Sequence, residues 1–214
     1  MTVAQFQKIQ ELTEGITDDV ELLAFTVCVA FDKTVEQVDN MSRKEFMKYV
    51  NRLTKELNPK EDNEIQFTTD ASAITFGQFI ECQHWMKTNW KGSLSLIAAS
   101  ILVNRSDHKQ DVIWINSLPL SKVLHHVTKF NQSMVELVKS YSGLFEIDET
   151  DEDVEKDKQH HFIERYGWIY SATQVAAHEG IVLDKVYDLP IIQALNDMSY
   201  LKSEQKYDEY LSKN

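Results

Sequence analysis

The chain has 214 residues, 43% of them hydrophobic and 26% charged, with a formal net charge of −12 and a pI near 5.0. This balance excludes a chain that is disordered throughout or embedded in a bilayer, and it argues against non-specific binding to nucleic acid or to an anionic membrane surface. Two cysteines without motif spacing, Cys28 and Cys82, fit buried thiols in a reducing compartment better than a disulfide framework.

The opening MTVAQFQKIQEL lacks the basic and apolar regions of a signal peptide, so a cytosolic product is expected. Helix starts are legible where a Ser or Thr is followed three residues later by Glu or Gln: Thr2 with Gln5, Thr34 with Gln37, Ser42 with Glu45, and Thr75 with Gln78. Such a pair satisfies two first-turn amides reciprocally. Phe6, Ile9 and Leu12 form the stripe of the first helix, which Gly15 stops. A second helix over 18–31 is expected to turn Val20, Leu23, Ala24, Val27, Cys28 and Phe31 inward, with Asp18 and Asp19 at its positive end. Residues 34–57 read as a short helix, a restart at Ser42, and a helix burying Phe46, Tyr49, Val50, Leu53 and Leu57.

Alternation of Ile65 and Phe67 with polar neighbours predicts a strand within 63–70 and a small β-hairpin there. Thr75 begins a helix with Phe76, Phe79, Ile80, Gln83 and Met86 inward, and the apolar run SLSLIAASILV is long enough for a buried helix. A strand is expected at 112–115. Leu118-Pro119-Leu120 starts a helix continuing to Gly143, and Leu189-Pro190-Ile191 starts another. Proline is tolerated there because first-turn amides lack partners. The two starts share chemistry over too short a stretch to indicate duplication.

Residues 146–158, EIDETDEDVEKDK, are mostly acidic and cannot bury a core, so they read as a solvated linker. Behind them, 160–202 is the densest apolar block. Phe162, Ile163, Tyr166, Ile169, Tyr170, Thr173 and Ala176 define one helix stripe, Gly180 ends that helix, and Ile192, Leu195, Met198, Ser199 and Lys202 define the next. The fold class expected is mainly α: a multi-helix main domain with a small β-hairpin over 1–145, the acidic linker, and a C-terminal helical pair over 159–214.

Chemistry-bearing motifs are scarce. Glu81 and His84 share a helix face, but a carboxylate-bridged metal site needs a second Glu-x-x-His and further carboxylates, and none is present. His160-His161 and Glu164, with His178-Glu179, converge only if Glu164 meets His178 across a helix packing; a solvated helix start is the simpler reading. His125-His126 sits mid-helix, with one ring inward and one outward. No nucleophile elbow, phosphate loop or dinucleotide fingerprint occurs, so no enzyme activity, cofactor or metal is expected. Trp85, Trp90, Trp114 and Trp168 read as core or interface anchors.

Two stretches carry a resemblance. Ile74-Thr75-Phe76-Gly77-Gln78-Phe79-Ile80-Glu81 followed by Leu96-Ile97-Ala98-Ala99-Ser100-Ile101-Leu102 resembles a segment of small tail-region proteins of double-stranded DNA bacteriophages. Trp168-Ile169-Tyr170, Leu189-Pro190, Ala194-Leu195-Asn196 and Tyr200-Leu201-Lys202 are similar to the closing block of the same proteins, the tail assembly chaperones. The resemblance implies a non-enzymatic virion-assembly protein, most simply a chaperone binding an apolar helical client such as the tape-measure protein. The alternative is a permanent virion component, in the neck, a tail ring or the particle interior. A small metalloprotein using Glu81 and His84 stands far behind. The implied partners are other virion or assembly proteins, with no direct nucleic acid and no membrane, and homo-oligomerisation is left open. The implied location is the host cytoplasm during assembly, or the virion. Trp168, Tyr170, Leu189, Pro190, Leu195, Met198 and Tyr200 are the partner-binding candidates.

Overall fold

The computed structural model describes residues 1–58, 65–104, 107–145 and 153–213, with the backbone alone for 153–165 and 213. The chain forms two compact units, Met1–Thr69 with Glu81–Phe130, and Asp70–Ile80 with Asn131–Asn214. The units are thus drawn differently from the expected 1–145, 146–158 and 159–214, because the C-terminal helices belong with 70–80 and with the chain from Asn131. The first part of the acidic stretch lies outside the described residues, and the rest is helical from Asp153.

The first unit contains α1 (Val3–Leu12), α2 (Asp19–Ala30), α3 (Val35–Asp39) and α4 (Arg43–Leu57). It also holds most of α5 (Phe76–Asn89), all of α6 (Leu94–Ser100) and α7 (His108–Ser117), and the first half of α8 (Leu120–Ser140). Local chemistry sets the starts. Thr2 and Thr34 each form a full capping box with Gln5 and Gln37. Ser42 accepts from the Glu45 amide, and Asp18 accepts from the amides of Val20 and Glu21. The apolar run of α6 is buried over Leu94, Ile97, Ala98 and Ala99, and α1 packs against α2, α6 and α7. A satellite core of Val27, Cys28 and Val38 takes Phe31, Phe46 and Tyr49 around it. Val20, expected inward, is instead 72% exposed, because it lies in the first turn of α2. Both cysteines are buried and unbridged.

The expected β-hairpin is absent: no strand occurs among the described residues. Positions 63 and 64 of the expected strand lie outside them. Phe67 makes a single antiparallel bridge to Leu102, flanked by Thr68 N–H donating to Ile101 O at 2.8 Å and Val103 N–H donating to Gln66 O at 3.0 Å. The alternation of Ile65 and Phe67 therefore marks an extended segment laid along the exit of α6, with its backbone satisfied there and not by a neighbouring strand. The strand expected at 112–115 is corrected too. Asp107 caps the Gln110 amide at 3.1 Å, so the segment becomes α7, which buries Asp111 and Ile115, four apart on one face.

The second unit holds a 3-10 turn at Ala71–Ala73, the first turn of α5, the second half of α8, α9 (Ser142–Phe145), α10 (Asp153–Glu179), α11 (Leu183–Val186) and α12 (Ile191–Lys213). Gly180, at φ +67°, ends α10 as expected. Its core gathers Phe76, Phe79, Ala172, Val175, Ile191, Ala194 and Leu195. Of the stripe expected on α10, Tyr166, Ile169, Tyr170 and Thr173 are exposed and Ala176 is buried, with Ala172 and Val175 buried beside it. α10 packs against α11 and α12, and its buried face carries the smaller side chains.

Both units contain the same junction. In the first, Thr2 bridges Pro119, Val3 N–H donates to Leu118 O, and Leu120 N–H donates to Met1 O. In the second, Thr75 bridges Pro190, Phe76 N–H donates to Leu189 O, and Ile191 N–H donates to Ile74 O. Each joins a Thr-x-x-Gln-Phe helix start to a Leu-Pro helix start, so the likeness of the two Leu-Pro starts extends to their partners. Thr75 and Gln78 complete a reciprocal cap like that of Thr2 and Gln5.

Candidate functional site

The partner-binding candidates all lie in the second unit and separate into two groups. Leu195 is fully buried and Met198 nearly so, Leu189 is half-buried, and Pro190 is held in the bridge to Thr75. Trp168 is half-buried beneath an aromatic cluster, with Phe76, Phe79 and Phe145 approaching edge-on at 5.7, 5.6 and 6.3 Å between centroids. These residues build the unit. Gly77 belongs to the same framework: its N–H donates to Tyr187 O at 2.9 Å, and a Cβ there would meet that oxygen at 3.1 Å.

Tyr170 and Tyr200, each 53% exposed, form the second group. Tyr170 belongs to a surface row on α10 with Tyr166 and Ile169, three and four residues apart. On α12, Tyr200, Tyr207 and Leu211 are exposed and lie seven and four residues apart along one face, and Tyr200 Oη donates to Glu204 at 3.0 Å. The sequence places Tyr166 and Ile169 on an apolar stripe that needs a cover, without deciding what covers it. Only the burial of Ala172, Val175 and Ala176 distinguishes the two faces.

A second feature lies where the end of α10 meets α12. His178 and Glu179 close α10, and Asp197 lies on α12; one ligand-type atom from each falls within 4.8 Å of the others. The His178 ring lies 5.2 Å from that of Tyr200. Asp197 Oδ2 is shielded from solvent and accepts from no donor among the described residues, its side-chain hydrogen-bonding neighbour being the Glu179 carboxylate. Burial and then the charge of Glu179 push the Asp197 carboxyl above its usual range, with His178 opposing them. Sequence reading treated His178-Glu179 as part of a solvated helix start and did not connect it with Asp197, because the connection is tertiary and has no local motif.

Other candidates do not converge. Glu81 accepts from Ser100 Oγ at 3.0 Å, and His84 is exposed with its ring 4.7 Å from Trp85. No third ligand joins that pair among the described residues. His126 is buried with its ring 5.1 Å from Phe67, and His125 is half-buried. In the first unit an open depression of about 660 Å³ is lined by Ile65, Gln66, Leu102, Asn104, Gln110, Asp111 and Trp114, with a single carboxylate among them. The side chains of His160, His161 and Glu164 lie outside the described residues. No helix among the described residues is long and apolar enough to cross a membrane.

Among the described residues, then, the chain is an all-helical protein of two compact units, with exposed aromatic rows on the long helices of the second. Neither a family model, nor a curated protein, nor a solved structure matches it.

Proposed function

We propose that the protein is a non-enzymatic assembly factor that holds an apolar helical client, in the manner of a bacteriophage tail assembly chaperone holding the tape-measure protein. The observation carrying this reading is the exposed row Tyr166, Ile169 and Tyr170 on α10. A helix whose large apolar side chains face outward while its alanines face the core offers contact area to another helix. Tyrosine suits such a face because it presents wide apolar area and a polar tip at small entropic cost. The net charge of −12 disfavours DNA as the partner and favours solubility while the client is held. The phage context rests on the resemblance of the Thr75 and Trp168 segments.

Co-expression with the tape-measure protein of the encoding phage tests the reading. Wild type is expected to co-purify with it, and a Tyr166→Ser, Ile169→Ser, Tyr170→Ser variant with unchanged circular dichroism is expected to lose at least tenfold in capture. Equal capture by the variant would refute the row as the contact. Stoichiometric protein in purified virions would replace the chaperone with a permanent structural component.

A further inference from the structure

We propose that His178, Glu179 and Asp197 bind a divalent first-row transition-metal cation that clamps the end of α10 to α12. The trio supplies one imidazole and two carboxylates, a mixed nitrogen and oxygen donor set suited to zinc or manganese and poorly suited to the softer copper(I). The donor atoms lie within 4.8 Å of one another. A cation at roughly 2.0–2.2 Å from each ligand needs them about 3–3.6 Å apart, a contraction that His178 and Glu179, both exposed, can make by side-chain rotation.

Two further observations point inward to a cation. Asp197 Oδ2 is shielded from solvent and accepts from no donor among the described residues; the side chain it pairs with is the Glu179 carboxylate, and two carboxylates side by side need a shared proton or a cation between them. The trio also sits at the C-terminal end of α10, where the helix presents partial negative charge. The three ligands come from two helices that already pack together, so the cation would restrain an existing contact. Three protein ligands leave positions for water, and the site lies apart from the row proposed for client binding.

Untagged, metal-stripped protein titrated with zinc alone by calorimetry tests this, with manganese and magnesium in parallel. One zinc per chain is expected, with magnesium at least tenfold weaker. Asp197→Asn and His178→Ala, each checked by circular dichroism, are expected to lose at least tenfold in zinc affinity, whereas a His160→Ala, His161→Ala control keeps it. Zinc binding that survives both site variants, disappears with the control, or is undetectable in wild type at millimolar zinc overturns the proposal.

Discussion

Asp70 illustrates how much one side chain contributes to a local start. Its Oδ1 accepts from the Ser72 amide at 2.8 Å and from Ser72 Oγ at 2.7 Å, and the Ser72 hydrogen bonds hold its carboxyl below the usual range. A folded pKa below the unfolded one means that the unfolded chain binds the proton more tightly. The resulting stabilisation is present above the unfolded value near 3.9 and is lost as pH falls through the folded value. Asp70→Asn is therefore expected to be less stable than wild type at neutral pH, by under about 1 kcal/mol because the group is exposed to screening. The difference should vanish in acid, as read by urea unfolding across pH. At this scale the sequence is most readable: Thr2, Thr34 and Thr75 each form the reciprocal cap with Gln that their spacing predicts, while Ser42 forms only the half in which it accepts from the Glu45 amide. The cap joins residues three apart, whereas Asp197 reaches His178 and Glu179 only by packing.

Among the elements, the misread segments share a cause. Residues 112–115 alternate weakly, and the decisive signal was Asp107, a helix cap standing before the apolar positions. On α10 the stripe drawn by spacing runs from exposed Tyr166, Ile169 and Tyr170 to buried Ala176, and Ala172 and Val175 complete the buried face. Periodicity identifies a helix, but alanines contribute little to an apolar stripe while permitting the closest packing. The expected hairpin failed because two good β-formers are also adequate for a single bridge. Close packing makes Gly77 the sharpest test of element placement. Gly77→Ala sets a Cβ 3.1 Å from Tyr187 O and 3.3 Å from Tyr187 Cβ, within a core already filled by Phe76 and Phe79. It is expected to cost about 1–3 kcal/mol in chemical denaturation; an unchanged midpoint would show that the Tyr187 segment yields.

For the whole molecule, helical class was legible because caps and apolar stripes agree along most of the chain. The division into units was not, since it falls inside α5 and α8, where no linker composition marks it. Charge is the property read most directly. At −12 the protein is expected to leave duplex DNA unshifted in a gel assay at 0.15 M salt; a salt-sensitive shift would require a basic surface that the scattered lysines and arginines do not suggest.

The paired junctions bear on how the chain emerges from the ribosome. Thr2 must await Pro119, and Thr75 must await Pro190, a separation on the order of a hundred residues in each case. The two intervals overlap, so the strand-like clasp of the first unit closes only after the opening half of the second clasp has been synthesised. During that interval two Thr-x-x-Gln-Phe starts are present with one Leu-Pro start. The second start carries Gly77 where the first carries Ala4, and a Cβ at Gly77 would lie 3.1 Å from Tyr187 O and 3.3 Å from Tyr187 Cβ, so the first start would fit the second clasp only if the Tyr187 segment shifted.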